Sequence, residues 1–184
     1  MIKEDLRRTL LTQRHAIPAD LRAQYDKALC SHVVDWWNSH PVRRLGVYWP
    51  IRGEPDLRSA YIELAKRGVQ LALPVVVEAD ASLCFAAWAP GDGLVVGSMK
   101  VPVPAQPQIP VYPEALLVPC IGFNPQRIRL GYGGGFYDRT LAATPHPLAI
   151  GIGYSCGLAD FSAAPHDIAL DAMITEDAGF ANGS

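Results

Sequence analysis

Apolar residues recur along the chain in two rhythms, one typical of helices and one typical of buried strands. Residues 2–15 place Leu6 and Leu10 on one stripe at helical spacing, and residues 19–38 predict a second helix after Pro18 breaks the pattern. Short, continuously apolar runs are typical of strands that are buried on both faces of a sheet. Five such runs are predicted as strands: residues 45–50, 69–77, 82–88, 115–123 and 147–155.

Helical segments fall between these strands. Residues 57–66 and 134–143 are predicted as helices, and the Pro-rich stretch 101–113 is predicted to be extended. Strands that alternate with helices predict an α/β fold with a largely parallel sheet flanked by helices, a Rossmann-like three-layer arrangement. We expect one domain over residues 1–184. Ligands of such sheets bind beyond the carboxyl ends of the strands, so the loops after Tyr48, Phe123 and Tyr154 are expected near a site.

Composition narrows the class of protein. Hydrophobic residues make up 49% and charged residues 18% of the 184, which is an ordinary globular balance and argues against disorder. The net charge of −2 argues against a nucleic-acid partner, because such domains are normally basic. No run approaches the ~20 apolar residues of a membrane helix, and charges interrupt every apolar run of MIKEDLRRTLLTQRH, unlike a signal peptide. Four well-separated cysteines form no C-x-x-C pair, so we expect a cytoplasmic, reduced protein.

The segment R-L-G-Y-G-G-G-F-Y-D-R, residues 129–139, carries the most chemical information. Its glycines can adopt positive φ and leave successive N–H groups uncovered, a geometry that binds anions. A helix starting just after the loop would add its positive end. Arg129 can donate paired hydrogen bonds to phosphate oxygens, and Asp138 is an oxygen ligand that suits magnesium carried by a nucleotide.

A glycine-rich loop alone is a weak signal. The segment has neither the G-x-x-x-x-G-K-[ST] spacing of a P-loop nor the dinucleotide-binding G-x-G-x-x-G spacing in its proper context. On the glycines alone, a plain tight turn is an equal alternative. The arginine at one end and Tyr-Asp-Arg at the other favour phosphate binding.

Two further features are ambiguous from the sequence. Lys3, Arg7 and Arg14 fall on one face of the first predicted helix, either reaching an anionic site or forming a solvated charged face. Glu54 follows a predicted strand, where it either accepts hydrogen bonds from a ring N–H group or acts as an acid near a helix start. For Asp56 the helix N-cap is the preferred interpretation.

These residues together resemble the 5-formyltetrahydrofolate cyclo-ligase family. The segment at residues 129–139, preceded by the strand LLVPCIGF, is similar to the family signature. Lys3 and Arg7 match the family's K-x-x-x-R, and Arg14 matches its following arginine. The likeness spans most of the chain in the family's order, through Tyr48, Pro50, Glu54, Pro74, Trp88, Pro90, Gly91, His166 and Asp167.

The resemblance implies an enzyme that uses ATP and Mg²⁺ to close 5-formyltetrahydrofolate to 5,10-methenyltetrahydrofolate, releasing ADP and phosphate. In that family the formyl oxygen is thought to take the γ-phosphoryl group, after which N10 attacks the activated carbon and phosphate leaves. The implied ligands are ATP and a reduced folate. We expect a monomer or a weak homodimer.

The resemblance also implies roles for individual residues. Arg129, Tyr137 and Asp138 are the expected catalytic residues, and magnesium is assigned to Asp138 and Asp167. The folate side is assigned to Tyr48, Glu54, Trp88, Phe136 and Tyr137, with a merely buried Trp88 as the alternative. ATP binding is assigned to Lys3, Arg7, Arg129, Gly131, Tyr132, Gly133, Gly134, Gly135 and Asp138.

The chain departs from the family pattern near these residues. Asn124 stands where Asp is usual, Arg127 where Gly is usual, and Gly157 where Gln is usual; Phe161-Ser162 replaces an L-P pair. Two other functions therefore stay open. One is a folate- or nucleotide-binding relative without turnover, and the other is an ATP-dependent enzyme acting on a different small substrate.

Overall fold

Four α-helices, two short 3-10 helices and ten strands are found in residues 2–177, the part of the chain that this computed structural model describes. The helices are α1 (Lys3–His15), α2 (Ala19–Ser39), α3 (Arg58–Lys66) and α4 (Phe136–Ala142). The strands are β1 (Arg44–Gly46), β2 (Gln70–Val75), β3 (Cys84–Trp88), β4 (Leu94–Val96), β5 (Pro102–Pro104), β6 (Ala115–Pro119), β7 (Gly122–Phe123), β8 (Arg129–Leu130), β9 (Leu148–Ile152) and β10 (Ala172–Ile174). None of these four helices is both long and apolar enough to cross a membrane.

A six-stranded sheet with the order β10-β9-β6-β1-β2-β3 forms the centre of the fold. Its first five strands are mutually parallel, and only the edge strand β3 runs antiparallel, against β2. The unit β1–α3–β2 supplies the helical crossover that a parallel pair requires. The prediction of a largely parallel sheet in an α/β fold is therefore confirmed.

Helices cover both faces of this sheet. On one face, Leu45, Leu71 and Leu117 pack against Leu29 of α2 and Leu64 of α3. The opposite face packs against α4 through a second cluster that contains Leu116, Val118, Ala149, Met173 and Leu141. Alternate residues of each strand thus belong to different clusters, as the period of two requires. This confirms the predicted three-layer arrangement.

The predicted strand 115–123 was wrong in its second half. β6 ends at Pro119, and Gly122–Phe123 pairs instead with Arg129–Leu130 in a separate two-stranded sheet. The chain leaves the central sheet between Cys120 and Ile121. The N–H of Cys120 still donates to the carbonyl of Ile152 in β9, whereas the N–H of Ile121 donates to the carbonyl of Leu130 in β8. An unbroken apolar run cannot reveal this change of partner, because both halves are buried.

Other boundaries also moved. The helix predicted over 134–143 begins at Phe136, because Gly135 takes a left-handed φ of 69° and serves as the N-cap. Asp56 is not the N-cap of α3, which is Leu57, although its carboxylate accepts the N–H of Arg58 at 3.1 Å. The hairpin formed by β4 and β5, and the strand β10, were not predicted as strands, since three-residue strands are too short to show a period.

Substituting Leu117 by alanine should test the layered core. Leu117 is 1% exposed at the centre of the sheet, so truncation should lower the free energy of unfolding by about 2–5 kcal/mol. Leu148 on the neighbouring strand is 43% exposed and provides the control, with an expected loss below about 1 kcal/mol. Urea denaturation followed by circular dichroism measures both. Equal losses for the two variants would contradict the described packing.

Candidate active site

A cavity of about 600 Å³ opens at the carboxyl edge of the parallel sheet. The loop after β1, the end of β6 and the glycine-rich loop before α4 all line it, as do α1 and the hairpin of β4 and β5. Chain segments far apart in sequence meet there because the carboxyl ends of parallel strands share one edge. Of the three loops expected near a site, only that after Tyr48 lines the cavity directly; neither the turn after Phe123 nor the segment after Tyr154 contributes to its wall.

The basic face of α1 points into this cavity. Leu6 and Leu10 pack on Ile121 and Leu130, so the adjacent stripe that carries Lys3 and Arg7 is turned toward the glycine-rich loop. Lys3 Nζ lies 2.6 Å from Asp167 Oδ2, and Arg7 Nε donates to Gly131 O at 2.7 Å. These residues therefore line the cavity and do not form a solvated charged face.

The glycine-rich loop, residues 131–135, forms one wall. Gly133 and Gly135 have φ values of 93° and 69°, which side chains rarely adopt. The Arg7 guanidinium lies beside Gly133, so the loop is covered on one side by a cation. The helix α4 that follows has only seven residues, so its dipole adds little to the arginines.

The three expected catalytic residues lie together. Arg129 Nη2 is 3.7 Å from Asp138 Oδ2, and its guanidinium carbon is 5.2 Å from the centre of the Tyr137 ring. The Arg129 side chain is only 9% exposed. Burial raises the pKa of Tyr137 well above its usual value, so its hydroxyl stays protonated at neutral pH and can donate a hydrogen bond.

Glu54 is a buried carboxylate in the cavity wall. It is 7% exposed, and Oε2 accepts the N–H of Ile51 at 3.0 Å. Burial raises its pKa from the ordinary 4.5 to about 7, while the Ile51 N–H and the charges of Arg14 and Arg52 oppose that rise. Helix α3 begins four residues later at Arg58, so Glu54 is a cavity residue and does not act as a helix-end acid.

The aromatic residues divide into two groups. Tyr48 and Phe136 line the cavity, together with Tyr132 and Tyr137. Trp88 does not line it: its indole is buried and meets Trp49 edge-on, with ring centres 5.9 Å apart. The stacking role predicted for Trp88 therefore has no support from its position, and its alternative as a buried tryptophan fits.

Several lining residues were not expected from the sequence. Trp49 lines the cavity where Trp88 was expected to, and Arg52 lies with its guanidinium 4.9 Å from the Tyr132 ring. Gly97, Ser98 and Met99 form a wall at the tip of the hairpin of β4 and β5. The adjacent aromatic residues Tyr48 and Trp49 after β1 could have indicated from the sequence that Trp49 lines the cavity. The sequence of the hairpin of β4 and β5 gave no such indication, since its position depends on contacts remote in sequence.

Asn124 and Arg127, two of the departures from the family pattern, have structural explanations. Asn124 Oδ1 accepts the N–H groups of Gln126 and Ile128, and its amide donates to Phe161 O at 2.9 Å, a bond that an ionised aspartate could not make. Arg127 occupies a left-handed φ of 60°, where glycine is the easiest residue, and its Nε bonds to Leu170 O at 2.9 Å. Asn124 thus holds the turn before β8, and the hydrogen bond of Arg127 opposes the strain of its own backbone conformation.

Gly157, the third departure, is explained by space. A Cβ at this position would meet the carbonyl oxygen of Ile121 at 3.0 Å and Gly122 Cα at 3.4 Å. A glutamine side chain would therefore require the backbone of β7 to move. Gly157 does not line the cavity, so this departure alters packing behind the site.

The carboxylates offer limited metal-binding capacity. Within residues 2–177, no cluster of three or more His, Cys, Asp or Glu side chains could hold a metal ion by itself. Magnesium carried by nucleotide phosphates needs only one or two protein carboxylates. Asp138 faces the cavity and fits that need, whereas Asp167 Oδ2 already accepts Lys3 Nζ and the N–H of Ala164.

The fold and the cavity define a class: an α/β protein with an arginine- and lysine-lined, anion-compatible site at the carboxyl edge of its sheet. A family model described as the 5-formyltetrahydrofolate cyclo-ligase family matches residues 1–176. The chain therefore belongs to the 5-formyltetrahydrofolate cyclo-ligase family.

Known proteins that are similar to this chain in sequence or structure carry names that fit this family. The chain is 30% identical over 190 residues to the 5-formyltetrahydrofolate cyclo-ligase of Mycolicibacterium smegmatis, covering 96% of this chain and 95% of that one. It is similar to the structure of a 5,10-methenyltetrahydrofolate synthetase from Mycoplasma pneumoniae, with a TM-score of 0.78, 26% identity and coverage of 96% and 100%. The corresponding Aquifex aeolicus structure gives a TM-score of 0.82, 26% identity and coverage of 96% and 90%.

The raised pKa of Glu54 predicts a pH-dependent loss of stability that a Glu54→Gln variant should lack. The folded pKa of about 7 exceeds the ordinary 4.5, so the folded state holds the extra proton between these values and the free energy of unfolding falls as pH rises through that window. A difference of this size corresponds to roughly 3 kcal/mol at pH 8. Urea denaturation at pH 5 and pH 8 should show the variant gaining stability over the wild type at pH 8 only.

The exposed residue Glu78 supplies the control for this prediction. In the Glu78→Gln variant, the free energy of unfolding should change between pH 5 and pH 8 by the same amount as in the wild type. A Glu54→Gln variant that is less stable than the wild type at pH 8 would show that the buried, ionised carboxylate does not destabilise the folded state.

Proposed function

We propose that this chain catalyses the ATP-dependent closure of 5-formyltetrahydrofolate to 5,10-methenyltetrahydrofolate, with release of ADP and phosphate. The observation that carries the proposal is that one cavity joins a wall of cations to a buried carboxylate. The cations suit a polyphosphate, and the carboxylate suits a ring that donates N–H groups. Membership of the family supplies the reaction for which such a pair of half-sites is needed.

The phosphate side is assigned to α1, Arg129 and the glycine-rich loop. Lys3 and Arg7 reach the cavity from the helix, and Arg129 reaches it from β8. Phosphoryl transfer needs neutralised charge and positioning more than covalent help. We assign ATP binding to these three residues together with Gly131, Tyr132, Gly133, Gly134, Gly135 and Asp138.

Magnesium is assigned to Asp138. When bound, the ion would neutralise charge on the phosphates of ATP. The 3.7 Å separation between Arg129 and Asp138 lets the carboxylate turn toward a cation without losing a short hydrogen bond. Asp167 as a second ligand stays a prediction, and its contact with Lys3 supports a role in holding that ammonium group.

The folate side is assigned to Glu54 and the aromatic walls. An ionised Glu54 would accept hydrogen bonds from N–H donors of the pterin ring, as charge-assisted bonds that also favour the ionised form. Tyr48, Phe136 and Tyr137 provide apolar surface beside it, and Trp49 takes the place first expected for Trp88. The pterin ring would then lie on the sheet side of the phosphates.

The reaction requires both halves to meet at one atom. The formyl oxygen attacks the γ-phosphorus and ADP leaves, which turns that oxygen into a good leaving group. N10 then attacks the activated carbon, loses its proton, and phosphate departs with the former formyl oxygen. Arg129 and Tyr137 lie between the two sides, where Arg129 can stabilise the transferred group and Tyr137 can donate a hydrogen bond.

We infer a cytoplasmic enzyme that acts on small molecules, as a monomer or a weak homodimer. Free thiols at Cys30, Cys84, Cys120 and Cys156 support a reducing compartment. The assignment of a small-molecule substrate is supported by the cavity volume of about 600 Å³, which is within the range of ligand pockets.

The proposed activity is tested by following the absorbance of the methenyl product. Purified protein with 5-formyltetrahydrofolate, ATP and Mg²⁺ should form product, and omission of ATP or Mg²⁺ should prevent it. Binding of both ligands without product would favour the non-catalytic relative. ATP consumption that depends on another small substrate would favour the third function.

Replacing Arg129 by alanine should lower turnover far more than it lowers stability. Its proposed role is charge stabilisation during phosphoryl transfer, and loss of one such donor costs about 10²–10³-fold in turnover. Steady-state kinetics at saturating ATP, with a thermal melt alongside, measure both effects.

Arg8→Ala is the control, because Arg8 is exposed on α1 and pairs only with Asp5 across one turn. It should retain the wild-type rate. An Arg129→Ala variant with an unchanged rate at saturating ATP would remove Arg129 from the mechanism.

A further inference from the structure

Arg14 is buried behind the site without lining the cavity. It is 3% exposed near the end of α1, and a single nitrogen, Nη2, donates to both Arg52 O at 2.8 Å and Tyr132 Oη at 2.7 Å. Arg52 belongs to the loop that carries Glu54, and Tyr132 belongs to the glycine-rich loop. One guanidinium thus joins the two loops assigned to the two substrates.

The remaining donors of Arg14 are unsatisfied. Among the described residues, Nε and Nη1 are buried without a hydrogen-bond partner. Burying a charge with unpaired donors is unfavourable unless an opposite charge lies nearby. Glu54 is the nearby acidic group: it is also buried, and the positive charge of Arg14 lowers its pKa against the effect of burial, so Arg14 is compensated only where Glu54 is ionised.

The loop that Arg14 holds is conformationally strained. Arg52 has a left-handed φ of 51° without being glycine, and Gly53 follows with a φ of 75°. A non-glycine residue in this region persists only when its surroundings enforce it. The Arg52 carbonyl is held by Arg14 Nη2 and by His15 Nε2 at 3.0 Å, so two consecutive residues of α1 enforce the conformation.

We propose that Arg14 is a positioning residue that clamps the Glu54 loop to the glycine-rich loop and so holds the Glu54 carboxylate in place for the folate. The inference rests on the proposed function and adds a residue to it. Arg14 acts through Glu54 and Tyr132 and does not itself touch the substrates.

The charge effect can be separated from other titrations. The charged groups that lower the pKa of Glu54 are Arg14 from α1 and Arg52 from its own loop. The neutral titratable groups around it are Tyr48, Tyr61, Cys120, Tyr132 and Tyr137, and burial raises the pKa of every one. The exposed His15 of α1, which contacts the Arg52 carbonyl, is a further titratable group beside this loop, and a His15→Gln variant with the wild-type pH dependence would exclude it.

The test measures equilibrium binding of 5-formyltetrahydrofolate and, separately, of ADP, between pH 5.5 and pH 8.5. Arg14→Met keeps the bulk of the side chain and removes the charge and both hydrogen bonds. The folate Kd should rise at least about tenfold, the loss expected for charged hydrogen bonds. The ADP Kd should change less than about threefold, because the glycine-rich loop keeps its bond from Arg7 Nε to Gly131 O. The pH below which folate binding weakens should move upward, because Glu54 without Arg14 holds its proton to higher pH.

Two further variants separate clamp from charge. Arg14→Lys keeps the charge, but its Nζ ends one bond short of the position of Arg14 Nη2 and loses the contacts to Arg52 O and Tyr132 Oη, so the folate Kd should rise without a shift in the pH dependence. Tyr132→Phe removes both the contact to Arg14 and the hydrogen bond between Tyr132 and Glu54, so it should raise the folate Kd and move the pH dependence upward, more weakly than Arg14→Met. If Arg14→Met does not fold, the inference is tested with these two variants alone. Arg8→Met on the exposed face of α1 is the matched control.

The outcomes distinguish this inference from the proposed function. If the wild type binds the folate and Arg14→Met leaves both its Kd and its pH dependence unchanged, the inference is overturned. Equal weakening of folate and ADP would reduce Arg14 to a structural residue and also overturn it. Failure of the wild type to bind 5-formyltetrahydrofolate would overturn the proposed function together with the inference, whereas binding without turnover would overturn the function alone.

Discussion

The packing of α1 against the hairpin of β7 and β8 is the contact on which the site depends. Leu6 and Leu10 meet Ile121 and Leu130, and Gly122 has no Cβ, which leaves room for Leu10 to approach. This contact fixes the rotation of the helix about its axis. Since Lys3, Arg7 and Arg14 occupy the adjacent stripe, a rotation that exposed Leu6 would also withdraw the cations from the cavity.

Charge balance follows from that placement. Lys3 faces Asp167, Arg129 faces Asp138, and Arg14 opposes Glu54 through Tyr132 and the loop. Each cation thus lies near a carboxylate. The contact between Arg129 and Asp138 is long, at 3.7 Å, and two donors of Arg14 have no hydrogen-bond partner among the described residues. Such a site is incompletely neutralised within the protein, and under the proposed function a polyphosphate and an N–H-rich ring would add the charge and the donors that Lys3, Arg129 and Glu54 lack. The same incompleteness underlies the loss of stability expected where Glu54 is ionised.

Much of this could be predicted from the sequence, and the failures have physical reasons. The helices and the strands β1, β2, β3, β6 and β9 of the central sheet followed from local periodicity. The residue types of 129–139 indicated an anion-compatible segment, whereas the roles expected of its residues came from the resemblance to the family. Pairing was not accessible, because an apolar run such as 115–123 looks the same whether it stays in one sheet or crosses to another. Trp88 and Trp49 could not be ranked, since only the tertiary fold decides which indole reaches the cavity. Arg14 was recognised as part of a basic stripe, but its burial depends on Arg52 and Tyr132, residues remote in sequence.

Under the proposed function, this cavity brings the formyl oxygen of the folate against the γ-phosphorus of ATP. An ¹⁸O label placed in the formyl group of 5-formyltetrahydrofolate tests this directly when the released phosphate is analysed by mass spectrometry. Phosphoryl transfer to the formyl oxygen predicts one labelled oxygen in each phosphate, formed in step with ADP and the methenyl product. Unlabelled phosphate accompanying the product would mean that the phosphoryl group never reaches the formyl oxygen, and would contradict the arrangement of the two half-sites described above.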